Sequence, residues 1–261
     1  MRRVHWLWLL TGLLVVTGLL LAVFPREPSD TAPSAAVLPV TALADSVAHF
    51  AGPPNAPTLA VVGASFAAGV GAGSAQHAWP ADLGRMIGWR VVVSADSGAG
   101  FVSRGEGGRG PFDRLTGQLD LPALHPKLVI VQGGHDDIGQ SPALIAQRVR
   151  QLIDTIHRQA PGARIGVLSV FCDQHGPTPA ALRTDKTIVA AARQADPSVL
   201  VFDPLAGHWQ FPRIHDHLHP DQAGHQDIAD KIAQGLAKDG VVTGQHPADA
   251  PHLAGVARSA R

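Results

Sequence analysis

Tyrosine is absent from this chain and cysteine occurs once. The single thiol, Cys172, excludes an internal disulfide framework, and its neighbours offer no metal-ligand spacing, so a packed thiol is expected there. Net charge is missing too: 21 Lys and Arg balance 21 Asp and Glu. That balance excludes the basic stripe of a nucleic-acid binder. What is plentiful is apolar side chain, 45% of 261 residues, enough for one medium-sized domain with additional segments.

The apolar content is uneven. Arg2 and Arg3 precede an apolar stretch over residues 6–24 diluted only by Thr and Gly. At ~1.5 Å per helical residue, this run nearly crosses a ~30 Å hydrocarbon core. It is longer than a usual signal-peptide core, and no small-x-small cleavage site follows at once. Residues 1–24 therefore read as a transmembrane signal anchor, with a cleaved signal peptide as the alternative. The arginines in front, with Glu27 and Asp30 behind, put the N-terminus in the cytoplasm and the body outside. The expected location is the cell membrane, single-pass with an extracytoplasmic body, or secretion if the segment is cleaved. Residues 25–57, rich in Pro, Ala and Ser, read as a linker, with a short helix around 41–50. Residues 58–240 form the folded domain, and 241–261 read as a flexible tail.

Within the domain, short apolar runs at 58–62, 90–93, 128–131, 165–170 and 199–202 lack polar alternation. Such runs suit strands of a parallel sheet covered on both faces. Between them lie helical patterns. Ser141-Pro142 opens one in which Leu144, Ile145, Val149, Leu152, Ile153 and Ile156 follow helical spacing until Pro161-Gly162. Residues 179–195 form another, and Asp221 caps a last helix carrying Ile228, Ile232 and Leu236. Alternating strand and helix predict a doubly wound α/β sandwich with a mostly parallel five-stranded sheet.

In such sheets, sites form outside the carboxyl ends of the strands. Ser65 follows the first strand, Gly98 and Gly100 the second, Gly133-Gly134-His135-Asp136-Asp137 the third, and Asp216-His217-Leu218-His219-Pro220 the fifth after a connection. Every polar cluster falls at one edge. A carboxylate three residues before a histidine can hold the ring by one nitrogen and free the other to deprotonate a serine, which gives Ser65, His219 and Asp216 the roles of nucleophile, base and orienter. Each also has a plainer reading. Ser65 is placed to cap the following helix, Gly98 to make a turn, and Asp136 and Asp137 to be solvated or turn-bracing carboxylates. His215, His217 and His219 would share one face of an extended segment, as zinc ligands do, although Pro220 favours a turn. The other histidines, His208 and His225 among them, read as surface or packing residues.

Together these blocks resemble the SGNH hydrolases, the GDSL esterase/lipase family. Gly63-Ala64-Ser65, Ser94-Ala95-Asp96-Ser97-Gly98, Gly134-His135-Asp136-Asp137 and Asp216-His217-Leu218-His219-Pro220 match its four motifs in order, over about residues 58–240. The resemblance implies a flavodoxin-like three-layer α/β/α sandwich and a carboxylic ester hydrolase that needs no cofactor or metal. It implies Ser65, Asp216 and His219 as the catalytic set and Ser65, Gly98 and Asp136 as the oxyanion hole. Two positions depart from the family. Ala64 stands where Asp is usual between Gly and Ser, and Asp136 stands where an Asn donates N–H to the oxyanion. An ionised carboxylate offers only acceptors there, whereas a protonated Asp136 or His135 could donate.

The expected activity is hydrolysis of small or carbohydrate-linked esters through an acyl-enzyme. Alternatives are a cell-envelope O-acyltransferase, and a non-catalytic glycan-binding module with a decayed site. An α/β-hydrolase elbow is excluded by Ala67, where Gly-x-Ser-x-Gly requires glycine. Few aromatics and short loops argue against a large lipid tunnel. The expected partners are an ester substrate and, through the N-terminal helix, the membrane; oligomeric state is left open.

Overall fold

Each apolar run of the domain is a strand in the structure, a computed structural model that describes residues 47–242. In chain order the elements are β1 (Ala48–Phe50), β2 (Thr58–Gly63), α1 (Ser65–Ala68), α2 (Trp79–Ile87), β3 (Arg90–Ala95), α3 (Phe112–Gly117), α4 (Leu121–Leu124), β4 (Leu128–Gln132), α5 (Pro142–Gln159), β5 (Arg164–Leu168), α6 (Pro179–Ala195), β6 (Leu200–Phe202) and α7 (Gln222–Lys238). One 3-10 turn, Ala75–His77, precedes α2. The apolar run over residues 6–24, most of the linker and the tail beyond Val242 lie outside the described residues.

Among the described residues the sheet has six strands, ordered β1-β3-β2-β4-β5-β6. Strands β2 to β6 are parallel, and β1 adds to β3 antiparallel at one edge, Ala48 to Phe50 facing Val93 to Val91. This corrects the five-strand expectation and replaces a helix with a strand over Ala48–Phe50, inside the segment read as linker. Three residues carry no periodicity of their own. The strand exists because β3 offers it a free edge.

All six residues of β2 are buried, because side chains alternate between two covered faces. On one face Ala60, Val62, Val129 and Val131 pack with Phe112 and Leu115 of α3, Ile145 and Ile153 of α5, and Ile188 of α6. On the other, Leu59, Val61, Leu128 and Ile130 pack with Phe66 of α1, Trp79 and Leu83 of α2, and Ile228 and Ile232 of α7. These are the three layers of an α/β/α sandwich. The long helices run where the apolar spacing put them, with differences at their starts. Ser141 makes no side-chain cap hydrogen bond, and Pro142 opens α5 instead. Thr178 and Asp221 do cap α6 and α7, accepting from the Ala181 and Gly224 N–H groups.

The chain leaves β2 for β3 on one side and returns to β4 on the other. The order therefore reverses at β2, and a crevice opens at its carboxyl end. Register brings Ala95, Gly63 and Gln132 level across β3, β2 and β4, so the loops that follow all begin at one height.

Candidate active site

Ser65 is the first residue of α1, two positions after the last residue of β2. The cap reading fails for it: Ala64 holds the cap position and the helix has no side-chain cap. The Ser65 hydroxyl instead meets His219 Nε2 at 2.7 Å, across 154 residues of sequence. His219 Nδ1 lies 2.6 Å from Asp216 Oδ2. A carboxylate can only accept, so Nδ1 carries the proton and the Nε2 lone pair accepts from Ser65 Oγ–H. Asp216 Oδ1 also accepts from the Leu218 and His219 N–H groups, both at 2.9 Å. Burial works against its charge, but the His219 ring and these amides prevail, and the carboxyl is lowered to about 2.

The turn that allows this is local. His217 sits at φ +63, and Ile214 N–H donates to the His219 carbonyl, so the segment folds back on itself. That overturns the extended arrangement in which His215, His217 and His219 would share one face. Among the described residues no group of three or more His, Cys, Asp or Glu is placed to hold a metal ion.

Two positions near Ser65 were expected to supply backbone donors. Among the described residues neither the Ser65 nor the Gly98 N–H has an acceptor. Gly98 adopts φ +75, a conformation that favours glycine. Asp137 is fully buried and is no solvated carboxylate: it accepts from the Phe101, Val102 and Ser103 N–H groups at 2.8, 2.9 and 3.0 Å, bracing the loop after Gly98. Gly100 makes this approach possible, since a Cβ there would lie 2.4 Å from Asp137 Oδ1. Asp136 is half-buried, its carbonyl accepting from Ser103 Oγ at 2.6 Å. Burial pushes its carboxyl up, His135 and His219 oppose this, and Asp137 adds to it, with a net rise.

Some contributors had no clear signal in the sequence. Buried Gln132 ends β4 and its Oε1 accepts from the Ala64 and Ala67 N–H groups at 3.2 and 3.0 Å, gripping the turn that carries Ser65. A polar residue closing an apolar strand at the site edge was the only cue. Phe66, stacked on Phe171 with centroids 4.3 Å apart, lies 5.2 Å from the His219 ring and supports it from the apolar side. His135 Nδ1–H donates to the Phe171 carbonyl at 2.9 Å. Cys172 is partly buried against the core and free, its thiol pushed up by burial.

Residues 61–226 match the GDSL-like Lipase/Acylhydrolase family. The chain belongs to that family. GDSL lipase Rv0518 of Mycobacterium tuberculosis is 32% identical over 191 residues, 67% of this chain and 79% of the relative. Among solved structures, a carbohydrate esterase family 2 enzyme with a carbohydrate binding domain from Corynascus thermopiles (Myceliophthora fergusii) superposes with TM-score 0.60 at 17% identity, covering 71% of this chain and 67% of that one. TesA superposes with TM-score 0.54 at 24% identity, covering 70% and 99%. This GDSL-family chain has the SGNH hydrolase fold and is an ester hydrolase. No helix among its described residues is long and apolar enough to cross a membrane.

Proposed function

We propose that the protein is an extracytoplasmic serine esterase that cleaves small or carbohydrate-linked esters through a Ser65-His219-Asp216 triad and an acyl-enzyme. The observation that carries this reading is the unbroken relay from Asp216 Oδ2 through His219 to Ser65 Oγ, with both links at 2.7 Å or less. Ser65 Oγ attacks the ester carbonyl as its proton passes to His219 Nε2, and the carbonyl electron pair moves onto oxygen. The tetrahedral oxyanion is met by the Ser65 and Gly98 N–H groups. Collapse reforms the carbonyl, breaks the ester C–O bond and returns the His219 proton to the leaving alkoxide. Water then repeats the sequence on the acyl-enzyme. Asp216 keeps the ring in the Nδ1–H tautomer and balances the imidazolium.

Two observations support small, solvent-accessible substrates. The Asp216 and His219 side chains keep 35% and 17% of their exposure, so the base end of the relay opens to solvent. A carbohydrate esterase is among the structures sharing the fold. The extracytoplasmic location rests on the apolar run over residues 6–24 behind Arg2 and Arg3. A C-terminal reporter that is active only outside the cytoplasm should report activity there; an inactive fusion would reverse the orientation.

The catalytic reading is tested with a p-nitrophenyl ester series from acetate to decanoate, with wild type, Ser65→Ala and His219→Ala. Turnover should be highest on short chains and fall on the order of 10⁴-fold or more in either variant. Undiminished turnover in Ser65→Ala would refute the reading. Product analysis with an added sugar acceptor separates hydrolysis from acyl transfer.

A further inference from the structure

Gly98 lies against a side chain that the relay does not use. The sheet fixes its level: Gly63 pairs with Ala95, and the Asp96 N–H donates to the Gly63 carbonyl at 3.1 Å. The chain after β3 therefore starts beside the turn that carries Ser65. Residues 97–110 then fold back on themselves. Asp96 is buried, and its carboxylate accepts from the Gly107 and Arg109 N–H groups at 3.1 and 2.9 Å. So close a wrap needs glycine, because a Cβ at Gly105 or Gly107 would run into that carboxylate. The Glu106 N–H donates to the Ser97 carbonyl at 2.7 Å. This return sets Glu106 on Gly98: a Cβ at Gly98 would lie 3.2 Å from Glu106 Cγ. Asp96 is spent on holding the loop. Glu106 is not: it is exposed, and among the described residues no ion pair or hydrogen bond occupies its carboxylate. The Arg109 guanidinium, on the same loop, is turned to the Ala95 carbonyl and Gln118. A carboxylate offers only acceptors, so the partner that suits it is an O–H, taken in a charge-assisted hydrogen bond.

We propose that Glu106 is a specificity-determining residue: its carboxylate, held on Gly98 by the Asp96 loop, accepts a substrate hydroxyl beside the scissile carbonyl. The site then favours esters of hydroxylated molecules. This rests on the esterase reading above, in which the Gly98 N–H meets the carbonyl oxygen. A substrate seated there brings the atoms that flank its carbonyl up to Glu106. A hydroxylated flank replaces the water that the carboxylate gives up. A bare alkyl flank strips that water and returns nothing, which costs binding. Discrimination therefore has an attractive and a penalising side. Glu106 takes no proton and forms no bond in the reaction; it orients one class of ester and disfavours another.

The test compares kcat/KM within matched ester pairs, using full-length protein in detergent and following acid release. Glycerol monoacetate against propyl acetate places the hydroxyls on the alcohol side. Ethyl 3-hydroxybutyrate against ethyl pentanoate places one on the acyl side. Wild type should prefer the hydroxylated member of at least one pair, and the pair that shows it tells which flank meets Glu106. In Glu106→Leu that preference should fall by about three- to tenfold. Glu106→Gln should retain part of it, because an amide carbonyl still accepts. A ratio within a pair is independent of the fraction of active enzyme, so a purely structural defect leaves it unmoved. Wild type without preference in either pair would overturn the proposal, even if a variant misfolds. So would a preference that Glu106→Leu leaves unchanged. Ser65→Ala separates the two levels. Propyl acetate turnover that survives Ser65→Ala fails the triad reading, whereas turnover lost there alongside the wrong ratios fails only the role of Glu106.

Discussion

At the scale of single residues, the site depends on side chains whose partners are far away in sequence. Ser65 is aimed by His219 in front and held by Gln132 behind, the latter through the Ala64 and Ala67 amides. Gln132→Leu frees both amides and loosens the turn. It should lower kcat about tenfold or more with little change in KM, measured by steady-state kinetics on a variant whose circular dichroism matches wild type. An unchanged kcat would make Gln132 a packing residue only. Ser65, Asp216 and His219 were legible because each motif is local: a serine after a strand, and an acid three residues before a histidine. Gln132 was not, because its role is created by β2 lying beside β4. The different fates of Asp136 and Asp137 were equally hidden, since only the fold shows which carboxylate the 101–103 amides take.

At the scale of elements, loops are positioned by a few buried polar contacts and one close glycine. Gly100→Ala would push a methyl into the Asp137 carboxylate that braces the loop after Gly98. It should cost about 1–3 kcal/mol in denaturant unfolding and reduce esterase activity as well; a neutral result would show that the loop can yield. Asp221→Ala removes the α7 cap and should cost about 1 kcal/mol in the same assay, with turnover largely retained. Strands and long helices were readable because covered strands are apolar throughout and α5, α6 and α7 each repeat one apolar face. The short elements were not: α1, α3 and α4 span four to six residues, too few for a period to show. The edge strand β1 was read as helix for the same reason.

At the scale of the whole molecule, one buried histidine ties three parts together and makes stability depend on pH. Trp79 N–H donates to His225 Nδ1 at 3.2 Å, and His225 Nε2–H donates to the Val70 carbonyl at 3.0 Å, joining α2, α7 and the segment after α1. The sequence reading of His225 as packing is right in kind, but the ring is fully buried and burial lowers it from 6.5 to about 4. The unfolded chain therefore binds a proton that the folded chain refuses between these values. Stability is fully present above about pH 6.5 and declines as pH falls toward 4, by about 3 kcal/mol in all. Melting temperature should fall across that window, and His225→Gln should flatten the fall; an unchanged slope would assign the acid sensitivity to other groups. The central claim, that Ser65 is an activated nucleophile, is tested most directly by reacting the protein with a fluorophosphonate and mapping the adduct by peptide mass spectrometry. One adduct on Ser65, absent in Ser65→Ala and strongly slowed in His219→Ala, is the predicted result; no adduct, or an adduct on another residue, would contradict it.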